Sequence, residues 1–275
     1  MLSTYHTHSL FCDGKLMPED YILAAISKGF TAIGISSHAP VCFETDWTMK
    51  PEKMDEYLYS VLALKEKYRG KLQIYAGLET DYYPGCRDYR KYPGLDYTIG
   101  SVHFIHHQQS NQYMALDGTP DEFIKTRDIV FDGEVRCLIE KYYTLLIEMV
   151  QNQTPDILGH LDIIKKNNKG NRFFNEFEPW YREAVEQALD VIQKQNVIVE
   201  INTGGISRGY TTELYPSDWI LAAMRQRDIP VMLNSDAHHP DTIDVYYPQA
   251  REKLKSAGYT QQRILLDNSW QNVPL

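Results

Sequence analysis

Short runs of apolar and β-branched residues alternate along this chain with longer segments that show the 3.6-residue period of amphipathic helices. The apolar runs predict seven strands, at residues 3–8, 32–36, 73–79, 97–102, 156–160, 197–202 and 231–235. A later apolar run, Ile264 to Leu266, is compatible with an eighth strand or an edge strand. This alternation is typical of repeated βα units around a parallel sheet, and it predicts an α/β fold.

Proline residues mark the starts of several predicted helices. Pro18 and Pro51 stand where the first turn of a helix tolerates proline, and the segments that they open run to about Lys28 and Tyr68. Further helices are expected at 134–152, 179–195, 216–227 and 241–257. Pro248 within the last segment predicts a break or a late start, because proline cannot stand inside a regular helix.

Metal-binding side chains fall at or just beyond the carboxyl ends of the predicted strands. They are His6, His8, His38, Glu79, His103, His160, Asp236 and His238, and Asp13 follows the first strand. In a barrel these strand ends converge on one face, so the side chains are expected to be neighbours. Imidazole and carboxylate without thiolate suit zinc, iron(II) and manganese, so the pattern predicts a multi-metal site. The polar, aperiodic segment 104–133 is predicted to be a long loop over this face.

Each element of this pattern has a plainer alternative. His6 and His8 lie two apart and point the same way on a strand, but such a pair can also be hydrogen-bonded polar residues near a terminus. Glu79 ends an apolar run and needs a cation, which an arginine could provide instead of a metal. Asp236 and His238 repeat the spacing of His6 and His8, or form an ordinary Asp-Ala-His turn.

Candidate phosphate contacts follow the fifth and sixth strands. The segment from Asn202 to Arg208 contains two glycines that allow a close backbone approach, and Arg208 can offer a bidentate fork to phosphate. The alternative is a tight connection between strand and helix. Of Lys165 and Lys166, we favour Lys165 as a phosphate contact over a solvated charge. Three histidines are left out of the site: His106, His107 and His239.

Composition narrows the classes of partner. The chain has 275 residues and no composition break, so one domain over residues 1–275 is expected. A net charge of −9 argues against strong binding to nucleic acid or an anionic membrane. The four cysteines have no paired spacing, which favours reduced thiols in a cytosolic protein. No targeting or membrane-spanning segment is indicated, and the oligomeric state stays open.

Taken together, the motifs resemble the polymerase-and-histidinol-phosphatase (PHP) superfamily, from His-Thr-His to Asp-Ala-His. Four segments are similar to its monofunctional histidinol-phosphatase branch: Ser-His-Ala-Pro (37–40), Asp-Tyr-Thr-Ile-Gly-Ser-Val-His-Phe (96–104), Gly-His-Leu-Asp-Ile-Ile-Lys (159–165) and Glu-Ile-Asn-Thr-Gly-Gly (200–205). The resemblance implies a distorted (β/α)7 barrel with its metal site at the carboxyl ends of the strands. Ser37 stands where the family usually has aspartate, beside the expected ligand His38.

The resemblance also implies three divalent metal ions. The implied ligands are His6, His8 and Asp236 for one ion, His103 and His160 for a second with Glu79 bridging it to the first, and Asp13, His38 and His238 for a third.

The activity implied is hydrolysis of L-histidinol phosphate to L-histidinol and phosphate. Arg208 and Lys165 are expected to hold the phosphoryl charge, with Asn202 as a further substrate contact, and Asp236 or His238 to pass a proton to the leaving oxygen. Phosphoesterase action on nucleotides or nucleic-acid ends is the alternative enzyme. A metal-binding regulatory module without turnover is the non-enzymatic alternative.

Overall fold

The computed structural model describes all residues, 1–275. Its strands are β1 (Ser3–Thr4), β2 (Ala32–Ile35), β3 (Gln73–Asp81), β4 (Tyr97–Ser101), β5 (Phe104–His107), β6 (Gln112–Ala115), β7 (Ile157–Leu158), β8 (Ile198–Asn202), β9 (Val231–Asn234), β10 (Gln261–Leu266) and β11 (Ser269–Pro274). Its α-helices are α1 (Pro18–Ser27), α2 (Met54–Lys67), α3 (Pro120–Phe131), α4 (Val135–Asn152), α5 (Pro179–Gln195), α6 (Gly204–Ser207), α7 (Asp218–Gln226) and α8 (Tyr247–Ser256). Short 3-10 helices cover Pro51–Lys53, Ile163–Lys165 and Pro240–Thr242.

Seven of the strands form one sheet in the order β1-β2-β3-β4-β7-β8-β9, and every pairing in it is parallel. The first and last strands approach each other beyond their ends, where His8 N donates to Ala237 O at 2.9 Å and Ala237 N donates to His6 O at 3.2 Å. Tyr5 N also donates to the side chain of Asn234 at 2.7 Å. The sheet therefore curls into a nearly closed barrel, and the predicted α/β fold class, a distorted (β/α)7 barrel, is confirmed.

The helices around the barrel begin and end close to where their prolines and periods predict. In α5 the buried side chains recur every three or four residues: Tyr181, Val185, Ala188, Leu189 and Ile192. This spacing places them on one face of the helix, toward the core. The predicted late start of the last helix is confirmed, because α8 begins at Tyr247, one residue before Pro248.

The segment 104–133 is more ordered than the expected loop. It contains the antiparallel hairpin of β5 and β6 and the helix α3. The sequence pattern does not reveal the helix because few of its side chains are buried: only Phe123 and Thr126 of α3 are. A local signal was present, since Thr119 and Glu122 form a capping box in which Glu122 N donates to Thr119 Oγ1.

The last apolar run does not join the barrel sheet. Ile264 to Leu266 belong to β10, which pairs only with β11 in a separate antiparallel hairpin. Their side chains pack with residues inside the amino end of the barrel, including Tyr5, Ile99 and Met232. The run is thus a strand, as expected, but it belongs to a separate hairpin at the amino end of the barrel and not to the barrel sheet.

None of the helices combines the length and the apolar character that a membrane crossing would require. The single domain over residues 1–275 stays a prediction.

Candidate active site

A dense group of histidine and carboxylate side chains lies at the carboxyl ends of the barrel strands. The structure brings all nine predicted donors together there, in overlapping clusters of atoms within 4.8 Å of one another. His6 and His8 follow β1, and Thr7 between them pairs with Ala237 beyond β9. This extended pairing turns both imidazoles to the same side, because alternate side chains of a strand share a face.

The first cluster is centred on Glu79 Oε2, at the end of β3. Its distances to His6 Nε2 and His8 Nε2 are 3.1 and 3.4 Å. Asp236 Oδ1 lies 3.1 Å from His8 Nε2 and 3.7 Å from His6 Nε2. These four side chains converge on one point.

The other oxygen of Glu79 faces a second cluster. Glu79 Oε1 lies 2.9 Å from His160 Nε2 and 3.6 Å from His103 Nε2. The two Nε2 atoms are themselves 3.3 Å apart. Since Glu79 Oε2 also lies 3.0 Å from His38 Nδ1, one carboxylate contacts two groups of imidazoles, one at each oxygen, which is the geometry of a bridging ligand.

A third cluster lies nearer the solvent, around Asp13. Asp13 Oδ2 is 3.1 Å from His238 Nε2, and Asp13 Oδ1 is 3.8 Å from His38 Nε2. His8 touches this cluster as well, with Nδ1 at 3.6 Å from Asp13 Oδ1. The grouping matches the set of ligands that the resemblance implies for a third ion.

Two buried carboxylates, which the sequence analysis did not identify, contact the Nδ1 atoms of His6 and His103. Glu200 Oε1 lies 2.7 Å from His6 Nδ1, while Glu200 Oε2 accepts from His160 N at 2.9 Å. Asp81 Oδ1 lies 2.8 Å from His103 Nδ1. Each contact leaves Nε2 of that histidine facing the cluster, as in metal sites where a carboxylate orients the ligand. The buried-carboxylate argument applied to Glu79 would have found Glu200, in the apolar run Val-Ile-Val-Glu-Ile-Asn.

The donor set fits divalent ions. Five buried atoms in the clusters have no hydrogen-bond partner: His6 Nε2, His8 Nε2, Asp13 Oδ1, His38 Nδ1 and Glu79 Oε2. Buried polar atoms are ordinarily satisfied, so unpaired atoms that converge call for a cation. Burial lowers the pKa of His38 to about 3, which keeps this imidazole neutral. Burial alone would raise the pKa of Glu79, but the charges of His6 and His103, whose own pKa values nearby carboxylates raise in spite of burial, hold it well below its usual range. A metal ion would replace the protons on these imidazoles, because neutral imidazole and ionised carboxylate are the forms that bind metals.

Asp236 has an unusual backbone conformation. Its φ of +48° lies in the left-handed region, which aspartate tolerates better than most residues. Gly204 packs against it so closely that a Cβ at Gly204 would lie 2.9 Å from the Cβ of Asp236. This glycine therefore makes room for Asp236, in line with the tight connection considered as an alternative.

Asn202 lies beneath Asp236 and is fully buried. Its Nδ2 donates to Glu200 Oε2 at 2.8 Å and to Asp236 Oδ2 at 3.3 Å, and its Oδ1 accepts from Gly204 N at 2.7 Å. The side chain does not line the cavity. The structure thus places Asn202, the expected substrate contact, behind Asp236, where every polar atom of its side chain is paired with a neighbouring residue.

A cavity of about 1020 Å³ opens above the clusters. Arg208, which ends α6, lines it together with Asp236 and His238. Arg208 Nη2 donates to Asp236 Oδ2 at 2.7 Å, and Nη1 lies 2.8 Å from His238 Nδ1. A guanidinium is therefore held at the edge of the donor groups, where it can bind an anion.

The side chains of the neighbouring residues Lys165 and Lys166 point in different directions. Lys165 is buried, and its Nζ contacts Asp162 Oδ2 at 2.8 Å, Leu214 O at 3.0 Å and Ser217 Oγ. It does not line the cavity, whereas Lys166 does. The structure thus turns Lys165, the lysine favoured as a phosphate contact, away from the cavity, since its ammonium binds Asp162 and the segment 214–217.

The histidines left out of the site lie outside the cavity. His106 contacts Asn111 and His107 contacts Ser110, both in the β5–β6 hairpin, and His239 accepts from Asp241 N. The segment 104–133 does lie over the carboxyl face, because residues 115 and 117–120 line the cavity.

The sequence that carries these donor clusters matches a known protein family. The model of the PHP domain matches residues 4–204, almost three quarters of the chain. The chain belongs to the PHP domain family. Its match begins just before the His-x-His pair and ends at α6.

Several members of the family are similar over nearly their whole length. A Deinococcus radiodurans protein named "Probable histidinol-phosphatase" is 29% identical over 260 residues, 92% of either chain. The histidinol-phosphatase of Bacillus subtilis is 28% identical, over 90% of this chain and 97% of its own. A crystal structure of histidinol phosphate phosphatase from Lactococcus lactis, complexed with zinc, L-histidinol and phosphate, superposes with a TM-score of 0.74 at 21% identity and covers 98% of each chain.

Proposed function

We propose that this protein is a metal-dependent histidinol-phosphatase, which hydrolyses L-histidinol phosphate to L-histidinol and inorganic phosphate. The observation that carries the proposal is the convergence of nine donor side chains, Glu79 among them, with Arg208 at the edge of the same cavity. The similarity to histidinol-phosphatases over nine tenths of the chain supports the choice of substrate.

Three divalent ions, zinc, iron(II) or manganese, are proposed at the three clusters. His6, His8 and Asp236 would hold the first, His103 and His160 the second, and Asp13, His38 and His238 the third, with Glu79 bridging the first two. Bound together, such ions activate water and neutralise phosphoryl oxygens. The zinc in the Lactococcus lactis structure supports this class of metal.

The side chains of the protein place the ester and manage its charge. Arg208 is positioned to hold a phosphoryl oxygen, since its guanidinium borders the cavity beside Asp236. Burial alone would raise the pKa of Asp236, but Arg208 and the nearby imidazoles hold it well below its usual range. Asp236 is then an ionised ligand, and the transfer of a proton to the leaving oxygen by Asp236 or His238 stays a prediction.

A phosphate-release assay on metal-loaded protein tests the activity. L-Histidinol phosphate, p-nitrophenyl phosphate, nucleoside monophosphates and a single-stranded oligonucleotide are compared at equal enzyme concentration. We expect kcat/KM for L-histidinol phosphate to exceed that for p-nitrophenyl phosphate by about a hundredfold, because a dedicated site rejects ligands that leave its polar groups unpaired. Equal or better turnover of nucleotides would replace this proposal with the nucleotide phosphoesterase.

Metal content is measured separately. Anomalous diffraction at the zinc, iron and manganese edges is expected to give three peaks per chain, one at each cluster. Ordered donor side chains without peaks after metal soaking would refute the proposed metal centre. Binding of metal without turnover of any phosphoester would instead favour a regulatory module. The cytosolic location and the absence of a nucleic-acid partner stay predictions.

A further inference from the structure

Six carboxylates line the cavity: Asp13, Asp46, Glu79, Asp117, Glu122 and Asp236. Three of them belong to the donor clusters. Glu122 Oε2 is taken up by Thr119, accepting from N at 2.7 Å and from Oγ1 at 2.9 Å at the start of α3. Asp46 is exposed, where water weakens any ion pair. Asp117 is the one sheltered carboxylate in the cavity that neither a donor cluster nor a helix cap uses.

Asp117 lines the cavity together with His103 and His160 of the second donor cluster. Its side chain is 17% exposed. Its ion pair with Lys166 Nζ, at 3.3 Å, uses only Oδ2. Oδ1 is left for a cation from the cavity.

A chain of contacts connects Asp117 with the arginine across the cavity. Lys166 Nζ lies 4.7 Å from the ring centre of Tyr210, and the guanidinium of Arg208 lies 5.5 Å from the same ring. Arg208 in turn contacts Asp236 of the first cluster. Lys166 and Arg208 thus flank one aromatic ring between the metal ligands and Asp117. An anion can bind beside Arg208 while a cation binds Asp117, so the two charges can lie next to each other in the cavity.

L-Histidinol phosphate has the matching arrangement of charges. Its ammonium is on the carbon next to the one that carries the ester oxygen, so the positive group stays within a few ångströms of the phosphate. The carboxylate that binds it must therefore lie next to the phosphate position and not at the outer rim. Among the carboxylates of the cavity that the metals do not need, Asp117 satisfies this requirement.

We propose that Asp117 binds the ammonium of the substrate and selects aminoalkyl phosphates over other phosphomonoesters. Lys166 holds the carboxylate by Oδ2, and the ammonium donates to Oδ1. The inference rests on the proposed phosphatase function and adds the group that determines specificity. Nucleotides carry no ammonium at this position, so they would leave the carboxylate unpaired by substrate.

The test compares two substrates on metal-loaded wild type and Asp117→Asn. One substrate is L-histidinol phosphate and the other is its deamino analogue, the 3-(imidazol-4-yl)propyl ester of phosphate. We expect Asp117→Asn to lower kcat/KM for the amino substrate about a hundredfold and to change kcat/KM for the deamino analogue less than about threefold. Calorimetric binding of L-histidinol in the presence of phosphate should weaken to a similar degree, without turnover.

Asp46→Asn is the matched control, because it removes the exposed carboxylate of the same cavity. It should leave the ratio of the two substrates unchanged. A selective loss in Asp46→Asn, or an equal loss on both substrates in Asp117→Asn and in Asp117→Ser, would overturn the role of Asp117. Wild type that hydrolyses both substrates equally well overturns the ammonium site but keeps the phosphatase. Wild type that hydrolyses no phosphomonoester refutes the proposed function itself.

Discussion

The two ends of the barrel interior differ in polarity. At the carboxyl end, buried imidazoles and carboxylates face one another with several atoms unpaired. At the amino end, apolar side chains fill the interior under the hairpin of β10 and β11. Even the phenol of Tyr5 is satisfied there, since its hydroxyl donates to Leu265 O at 2.6 Å and accepts from Leu265 N at 3.1 Å.

Because of this difference, the amino end contributes mainly to the stability of the fold and the carboxyl end to the chemistry. Apolar burial at the amino end stabilises the fold without any ligand. The carboxyl end buries charged groups close together, which is unfavourable until cations bind. Changes at the two ends are therefore expected to act on different measurements.

The largest effect is expected from removing a donor at the carboxyl end. Asp236→Asn and His8→Ala should each lower kcat more than about a thousandfold, at least about 4 kcal/mol in barrier, because each deletes a side chain from the central cluster. The thermal unfolding midpoint of the metal-free protein should stay within about 3 °C of wild type. Activity within tenfold of wild type would remove that side chain from the reaction.

The converse change is made at the amino end. Ile264→Ala should lower the free energy of unfolding by about 3 kcal/mol, because it opens a cavity in a fully buried position of the hairpin. Chemical denaturation measures this loss, and kcat of the folded enzyme should be unchanged. Gln261→Ala, at an exposed position of the same strand, is the control. A hundredfold loss of kcat in Ile264→Ala would show that the two ends are not independent.

Arg208→Ala sharpens the comparison within the carboxyl end. It should lower kcat/KM for L-histidinol phosphate about a hundredfold, or about 2.7 kcal/mol, because a charge-assisted partner of the phosphoryl group is lost. The metal content should remain, since Arg208 is not a donor. Unchanged kcat/KM would return Arg208 to a role in holding Asp236 alone.

The smallest effect is expected from changing a carboxylate that orients a donor histidine without facing the metal site itself. Glu200→Gln should weaken metal affinity about tenfold to a hundredfold, because His6 loses the carboxylate that orients it. Competition titration with a chelating dye measures the affinity. Asp156→Asn is the matched control, since Asp156 accepts from Thr98 N near the start of β4, away from the donors. Equal affinity in wild type and Glu200→Gln would assign Glu200 a purely structural role.

Much of the fold and the donor set could be predicted because both depend on local pattern. Apolar runs and proline positions locate the strands and helices, and the parallel order of βα units brings the strand ends together. His6 and His8 point the same way because of strand geometry alone. The expectation for 104–133 failed because a short, half-exposed hairpin buries too few side chains to produce a clear period.

The direction of side chains outside the strands was decided only by tertiary structure. Lys165 and Lys166 are neighbours of one type, yet Lys165 turns inward because Leu214 and Ser217, about fifty residues away, accept its ammonium. Asn202 is held beneath Asp236 by Glu200 and Gly204 on its own segment and by Asp236 itself, 34 residues away. The amino acid sequence therefore determined the kinds of chemical group at the strand ends, while long-range contacts decided which groups face the cavity, because those contacts join positions whose spacing follows no local period.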